Sequence, residues 1–250
     1  MISITRKKFG IKINDVFFAN EPSKGSTTAT FQFFVQAKSP LPNFEPFKTQ
    51  VIDLTAPTEE ISKSLSKNTR YKINRAEREG FTPRLSTNPS VPEASLYAHF
   101  YDTFAAQKGL PLCNRAKLHS LATADFLILS SISDPEGNLL AAHAYVKDPS
   151  EARVRLLHSA SHFRGINDSG ERNKIGRANR LLHWFEILSL KNDGFRLYDL
   201  GGIPIDDRDA EKNDIARFKL EFGGESRIEY NGFVPQSPLG RVLLPLARRR

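Results

Sequence analysis

The chain has 250 residues, 39% hydrophobic and 26% charged, a balance that suits a folded globular protein with a full core and excludes a disordered one. Thirty-six Lys and Arg against 28 Asp and Glu leave a formal net charge of +8, which favours an anionic partner such as nucleic acid, a phosphorylated substrate or an acidic membrane surface. The single cysteine, Cys113, excludes an internal disulfide, no stretch has the length of a bilayer span, and MISITRKKFG lacks the apolar core of a signal peptide; the expected location is the cytoplasm.

In chain order, residues 9–18 and 27–37 are β-rich runs around the turn-like NEPSKGS and predict a hairpin. Pro40, Pro42 and Pro46 interrupt regular structure before a third strand at 48–55. A helix opens near Pro57, capped by Thr55 or Thr58, and runs to Glu79 with Gly80 closing it. Ile61, Leu65, Ile73 and Ala76 give it an incomplete apolar face, and much of the remainder is basic, with Arg70, Lys72 and Arg75 among its cations. Those cations suit the phosphates of a nucleotide-linked, lipid-linked or tRNA-borne group, or form a solvated basic face.

After a loop at 83–92, helices follow at 95–109, with Leu96, Phe100 and Phe104 in period, and at 114–124 behind an Asn114 cap. Three strands come next, at 125–132, 139–146 and 152–161; the first two are joined by Asp134-Pro135-Glu136-Gly137-Asn138, strong turn chemistry for an antiparallel hairpin. A polar loop from Arg164 to Lys174 leads to a helix from Ile175 to Asn192, then a strand from Phe195 to Leu200 and a last strand at 227–234. This order predicts an α+β fold, with a cleft where Leu156–Ser161 and Phe195–Leu200 splay apart near the start of the Ile175 helix.

The most site-like stretch is YDLGGIPIDDRDAEKNDIARFKLEFGG, residues 198–224. Gly201-Gly202 allow a sharp exit from the strand, since glycine alone takes positive φ without steric cost. Asp206, Asp207 and Asp209 make a polar segment, a solvated lid or an attractor of a cationic acceptor, and the chain re-enters the fold at Ile215 before Phe218-Lys219 and Gly223-Gly224. Tyr198 and Asp199 point to opposite faces of their strand. His143, His158 and His183 lack metal-ligand spacing and read as core or surface histidines, so no metal is expected.

YDLGGI with RFKLEFGG, together with RYKINRAEREG (70–80) behind VIDL and with ANRLLHWFEILSLKNDG (178–194), resembles the FemAB-like branch of the GNAT acyltransferases, the peptidoglycan aminoacyl-transferases and their relatives. The resemblance spans residues 50–235 and implies a GNAT-like, largely antiparallel mixed sheet flanked by helices. It divides the chain into a truncated β-rich subdomain (1–92), a GNAT-like domain (93–236) and a basic amphipathic tail (237–250). It implies amide formation on an amine of an amino sugar or peptide in envelope or polysaccharide biosynthesis. Acyl-CoA is the expected co-substrate and aminoacyl-tRNA the alternative donor; no tightly bound cofactor is implied. The acceptor would be a small or lipid- or nucleotide-linked amine.

By the same resemblance Phe218 and Lys219 sit at the reacting centre, the Phe218 backbone holding the amine and the Lys219 ammonium stabilising negative charge, unless Lys219 is simply a solvated helix residue. Asp199 orients the acceptor amine or caps the turn at Gly201 and Gly202; Tyr198 and both glycines border the substrate. Lys174, Gly176, Arg177 and Ala178 fall in NKIGRA, similar to a GNAT pyrophosphate loop, or are an ordinary helix start. A non-catalytic module holding an anionic precursor or RNA is the competing reading, and the tail either rests on the inner membrane surface or docks as a terminal helix.

Overall fold

The computed structural model describes residues 1–21, 28–161, 168–205 and 210–248. Its ten strands form one sheet: β1 (Ile2–Lys8), β2 (Ile11–Phe17), β3 (Phe31–Ala37), β4 (Glu45–Asp53), β5 (Thr82–Ser86), β6 (Leu127–Ser133), β7 (Leu139–Asp148), β8 (Arg153–Ser161), β9 (Leu197–Gly202) and β10 (Glu225–Pro235). They lie in the order β1-β2-β3-β10-β4-β9-β8-β7-β6-β5. Neighbours run antiparallel except at β2/β3 and β8/β9. The helices are α1 (Thr58–Ser64), α2 (Lys67–Arg78), α3 (Val91–Lys108), α4 (Arg115–Thr123), α5 (Ser169–Asn192), α6 (Ala210–Leu220) and α7 (Pro238–Arg248). This is the α+β, largely antiparallel sheet with flanking helices that the sequence implies.

The strand period of two sorts side chains between two cores. Ile128 and Ile132 of β6 join Ile61, Ile73, Leu182 and Leu190 under α1, α2 and α5. Leu127 and Leu129 join Tyr97, Phe104, Leu118 and Leu121 under α3 and α4. The centre of the sheet is therefore covered on both faces, and its polar groups are sealed from water wherever the chain buries them.

The parallel pair β8/β9 is short. Arg153, Val154 and Arg155 face Leu197, Tyr198 and Asp199, and no pairing continues beyond them. Past this point the two strands diverge, as the sequence predicts, leaving Leu156–Ser161 on one side and Leu200 to Gly202 on the other.

Several elements differ from expectation. The predicted hairpin of 9–18 with 27–37 is not formed: β2 and β3 are parallel, and β2 instead pairs antiparallel with β1, turning at Phe9-Gly10. The charged alternation of ITRKK concealed β1. The helix expected from 57 to 79 breaks at Leu65-Ser66, because Leu65 is extended and the Ser66 hydroxyl accepts the Thr69 N–H at 3.0 Å, starting a second helix. Pro83 sits in edge strand β5, where a missing N–H is tolerated. Helix α3 starts four residues before the expected 95, at Val91, through a capping box between Ser90 and Glu93. Within it Leu96 is 73% exposed, and Tyr97 and Tyr101 take the core positions instead.

The Asp134–Asn138 turn joins β6 to β7 as predicted. Cys113 is buried, and burial pushes its thiol up to about 11; it behaves as a small core residue. No helix among the described residues is long and apolar enough to cross a membrane.

Gly223 and Gly224 both take positive φ, 75° and 79°. A Cβ on Gly224 would lie 2.1 Å from the Val51 carbonyl oxygen, where β10 begins beside β4. Gly224→Ala should therefore destabilise the fold by about 3 kcal/mol, read as a lower urea midpoint at unchanged slope; a loss below about 1 kcal/mol would mean that the loop relaxes around the methyl group.

Candidate functional site

A cleft of about 510 Å³ opens where β8 and β9 part. Its walls include Leu156, His158 and Ser159 from β8, Leu200 from β9, Asn179 and His183 from α5, and Phe218 and Lys219 from α6. Tyr101 and Phe104 of α3 close the far side. The splay creates this space because two parallel strands that stop pairing leave a gap that neighbouring helices only partly fill.

Lys219 reaches in from the last turn of α6. Its ammonium donates to the Gly202 carbonyl at 2.7 Å. Burial, with the Arg155 charge, lowers its pKa to about 8 against the opposing pull of Asp199. Gly201 makes room for it: φ is 77°, and a Cβ there would stand 3.2 Å from the Leu156 carbonyl and 3.7 Å from the lysine nitrogen. Gly202 is pinned under the Phe47 ring, 2.8 Å from where its Cβ would be. Phe218 stacks beside His183 and Phe222, with ring centroids 5.6 and 5.3 Å away, and the Arg180 guanidinium lies 4.7 Å over its ring.

Strand β9 carries a buried polar network on each face. On the α5 side, Glu186 is the hub. Its carboxylate accepts from the Tyr145 hydroxyl at 2.5 Å, from the Tyr198 hydroxyl at 2.7 Å and from Ser130. His143 bridges Glu186 and Asn179 at 2.8 Å on each side, and the Nδ1 of His183 meets the Tyr198 hydroxyl at 2.7 Å. Burial would raise Glu186, but the neighbouring His143 outweighs it and holds the carboxyl below its usual range. Burial lowers His183 to about 4, leaving it neutral at pH 7.

On the opposite face, Asp199 is bound by Arg153 at 2.5 Å, Gln36 at 2.8 Å, Thr49 at 2.5 Å and the Gly201 N–H at 2.7 Å. Arg153 also holds both oxygens of Glu229, at 2.7 and 2.8 Å. Burial works against both charges. Hydrogen bonds to Glu229 and the two carboxylates more than offset it for Arg153, and Arg153 with Arg155 keeps Asp199 ionised.

The structure thus brings Lys219, Phe218, Gly201 and Gly202 to one place. It seals the expected substrate neighbour Tyr198 and the expected catalytic Asp199 inside the two networks, both at 0% exposure. Asp199 does hold the Gly201 turn, the capping alternative of the sequence reading. The expected pyrophosphate loop is corrected. Residues 173–178 lie inside α5, which starts at Ser169 behind an Asp168 cap, so the N–H groups of Lys174, Gly176, Arg177 and Ala178 serve the helix. Lys174 pairs with Asp134 at 2.9 Å and Arg177 with Glu79 at 2.8 Å.

On α2, Arg70 donates to the Ser62 and Lys63 carbonyls, and Arg75 pairs with Glu79. Lys72 has a lowered pKa through burial and nearby Arg180. None of the three lines the cleft. Asp206, Asp207 and Asp209 lie outside the described residues. Ile215 is not a core re-entry point: it is 44% exposed on α6 and lines the cleft.

Sequence reasoning missed Asn179, His183 and Glu186 as a group. The signal was there: positions 179, 183 and 186 are spaced i, i+4, i+7 on one face of an otherwise apolar helix stretch. His143, His183 and Glu186 offer donor atoms within 4.8 Å of one another, the atom types a metal takes, although their sequence spacing hides the convergence. Each group already has hydrogen-bond partners, and the cluster is closed as a polar core network.

No protein-family model matches the sequence, and no curated protein matches it. Solved structures are similar in fold. FemX has a TM-score of 0.59 at 12% identity over 78% of this chain, which spans 63% of the FemX chain. L-PGS from Bacillus licheniformis has a TM-score of 0.54 at 15% identity, over 88% of this chain and 74% of that one. The C-terminal domain of a protein assigned as a lysylphosphatidylglycerol synthetase from Agrobacterium fabrum has 0.53 at 14%, over 86% and 71%. The fold is the one that FemX and the lysylphosphatidylglycerol synthetases share.

Arg153 compensates two buried carboxylates. Arg153→Met should cost about 3–5 kcal/mol by leaving Asp199 and Glu229 unpaired, measured by denaturant unfolding. Arg153→Lys, which restores one charge without the planar fork, should recover only part of the loss.

Proposed function

We propose that this chain is an acyltransferase that moves an aminoacyl group from a polyanionic, tRNA-type donor to an amine, forming an amide in envelope or polysaccharide construction. The observation that carries this reading is the half-buried Lys219 ammonium at the mouth formed by the diverging β8 and β9, beside Phe218 and Gly202. The amine nitrogen attacks the ester carbonyl, the tetrahedral oxyanion collapses, and the C–O bond to the donor breaks. Lys219 supplies positive charge where negative charge develops, on the oxyanion and then on the leaving oxygen. The Phe222 N–H turns to the Lys219 carbonyl at 3.1 Å, which leaves the Phe218 carbonyl among the terminal acceptors of α6, and we assign it to take an N–H of the incoming amine. Two neutral imidazoles, His183 and His158, line the cleft; of these we assign His183, whose ring Tyr198 and Glu186 fix, to pass the proton that the amine sheds on to the leaving oxygen.

An aminoacyl donor is preferred to acyl-CoA because residues 173–178 are helical and the first turn of α5 carries Asp168 and Glu171, an acidic reception for a pyrophosphate. The fold likeness to lysylphosphatidylglycerol synthetases, whose name is that of a lysyl product, supports an aminoacyl group as the one transferred. Proximity in a closed cleft can supply roughly 7–11 kcal/mol of the barrier, so no stronger base than an imidazole is required.

Charged tRNA and acetyl-CoA, offered in parallel with amino-sugar and peptide amines, should yield amide product by mass spectrometry from the tRNA alone; product from acetyl-CoA only would reverse the donor assignment. Lys219→Met should lower the rate by about a hundredfold. The lysine is charged below a pKa of about 8, so wild-type rate should fall as pH rises through that value. Because this pKa lies below the ordinary value of a lysine, the buried ammonium opposes folding at neutral pH, and Lys219→Met should unfold no earlier than wild type. A variant that is stable and fully active would remove Lys219 from the mechanism.

A further inference from the structure

Helix α7 docks on the sheet through one side only. Gly240 is buried so close to the Thr30 carbonyl that a Cβ would lie 2.4 Å from it, and Leu243 and Leu244 are half-buried. Its outer side ought to be polar in a helix that merely closes the fold. It is not: Leu239, Val242 and Leu246, spaced i, i+3, i+7, are 56%, 75% and 63% exposed.

A second element adds to this surface. The β1–β2 hairpin turns at Phe9, whose φ of 49° is a left-handed value that a bulky side chain adopts only under constraint, and whose ring is 88% exposed. Phe9 and Leu246 line one apolar groove of about 150 Å³ between the hairpin tip and α7. The lining of that groove contains one cation, Lys8, and no acid; Glu45 lines the adjoining depression. Behind the tip, on the hairpin face opposite to Lys8, Ile11 and Ile13 of the groove, Lys7 and Lys12 stand directly opposite each other and are both exposed, a like-charge cross-strand pair that is unfavourable in water alone. Arg241 is exposed on α7 between Leu239 and Val242.

We propose that Phe9 and the outer face of α7 form a membrane-surface anchor for anionic lipid. The apolar side chains enter the headgroup boundary, and Lys7, Lys12 and Arg241 meet the lipid phosphates. An apolar tip and helix face with cations behind the tip and on the helix fit an anionic bilayer surface. Such a surface does not fit a nucleic acid, which offers no apolar phase, and a second copy of this basic surface would repel it. The anchor is separate from the cleft and does not depend on the transfer reaction.

The test is sedimentation of the purified chain with vesicles of phosphatidylglycerol and phosphatidylcholine, against phosphatidylcholine alone. Wild type should pellet with the anionic vesicles, weakly or not at all with the neutral ones, and less as salt is raised. Val242→Asp/Leu246→Asp and, separately, Phe9→Ser should each weaken binding by about tenfold or more, while thermal unfolding stays within a degree or so of wild type because these side chains are exposed. Cys113 is buried, so a polarity-sensitive dye on Val242→Cys reports this face alone and should blue-shift with anionic vesicles. Failure of wild type to pellet with them, equal binding to neutral vesicles, or a concentration-dependent dimer that the α7 variant abolishes would each overturn the proposal. A transferase inactive in every assay would leave this binding result standing.

Discussion

The sheet depends on one arginine. Arg153 lies at the last paired stretch of β8 and β9, and its guanidinium binds Asp199 of β9 and Glu229 of β10 at once. Gln36 of β3 and Thr49 of β4 complete the same network. Five strands far apart in sequence are thereby fixed at one point, in the half of the sheet where β2/β3 and β8/β9 both run parallel. Guanidinium geometry is what permits this: only a planar fork can satisfy two carboxylates without leaving a charge orphaned in a dry interior. A network of this type is not a strong source of net stability, because desolvation offsets much of the attraction.

The consequences reach the cleft. Asp199 cannot act on a substrate, because all its acceptor capacity is directed at Arg153, Gln36, Thr49 and the Gly201 N–H. By holding that last group it sets the left-handed turn at Gly201 and so the carbonyl of Gly202, which receives Lys219. The neighbouring residue, Tyr198, points the other way and ties β9 to α5 through Glu186, next to His183. A single dipeptide thus fixes both walls of the cleft from inside the core, and the groups left to touch a ligand are those on the helices and on the diverging ends of β8 and β9.

This arrangement explains what the sequence revealed and what it hid. Gly201, Phe218 and Lys219 were legible because backbone conformation and local motif constrain them within a few residues. The splay of β8 and β9 was legible because strand order limits the possible neighbours. The burial of Asp199 was not, since its partners lie 46, 150 and 163 positions away and no local pattern encodes them. NKIGRA failed as a loop because a glycine within a helix leaves no mark distinguishing it from a glycine that opens one; Asp168, seven residues upstream of Ile175, carried the true cap. The parallel β2/β3 pair failed for the same reason as Asp199: adjacency of two β-rich runs suggests a hairpin until ITRKK is recognised as the strand that claims the position first.

The charge excess of the chain becomes intelligible once the paired cations are set aside. Arg75, Lys174, Arg177 and Arg180 pair with Glu79, Asp134 and Glu221 along α2 and α5, so of the cations that look in sequence like a phosphate-binding surface, Arg75 on α2 and the three on α5 take part in ion pairs, with Glu79 shared between two of them. Two groups of the remaining cations have different surroundings. One is Lys219 with Arg155 at the cleft, held in low-dielectric surroundings where a charge acts strongly over a short range. The other is the hairpin tip and α7, where cations border exposed apolar side chains and act through a salt-screened field on an extended surface. Among these cations an inward charge suits a reacting carbonyl and an outward set suits a surface, and it is the local dielectric, not the number of charges, that separates the two.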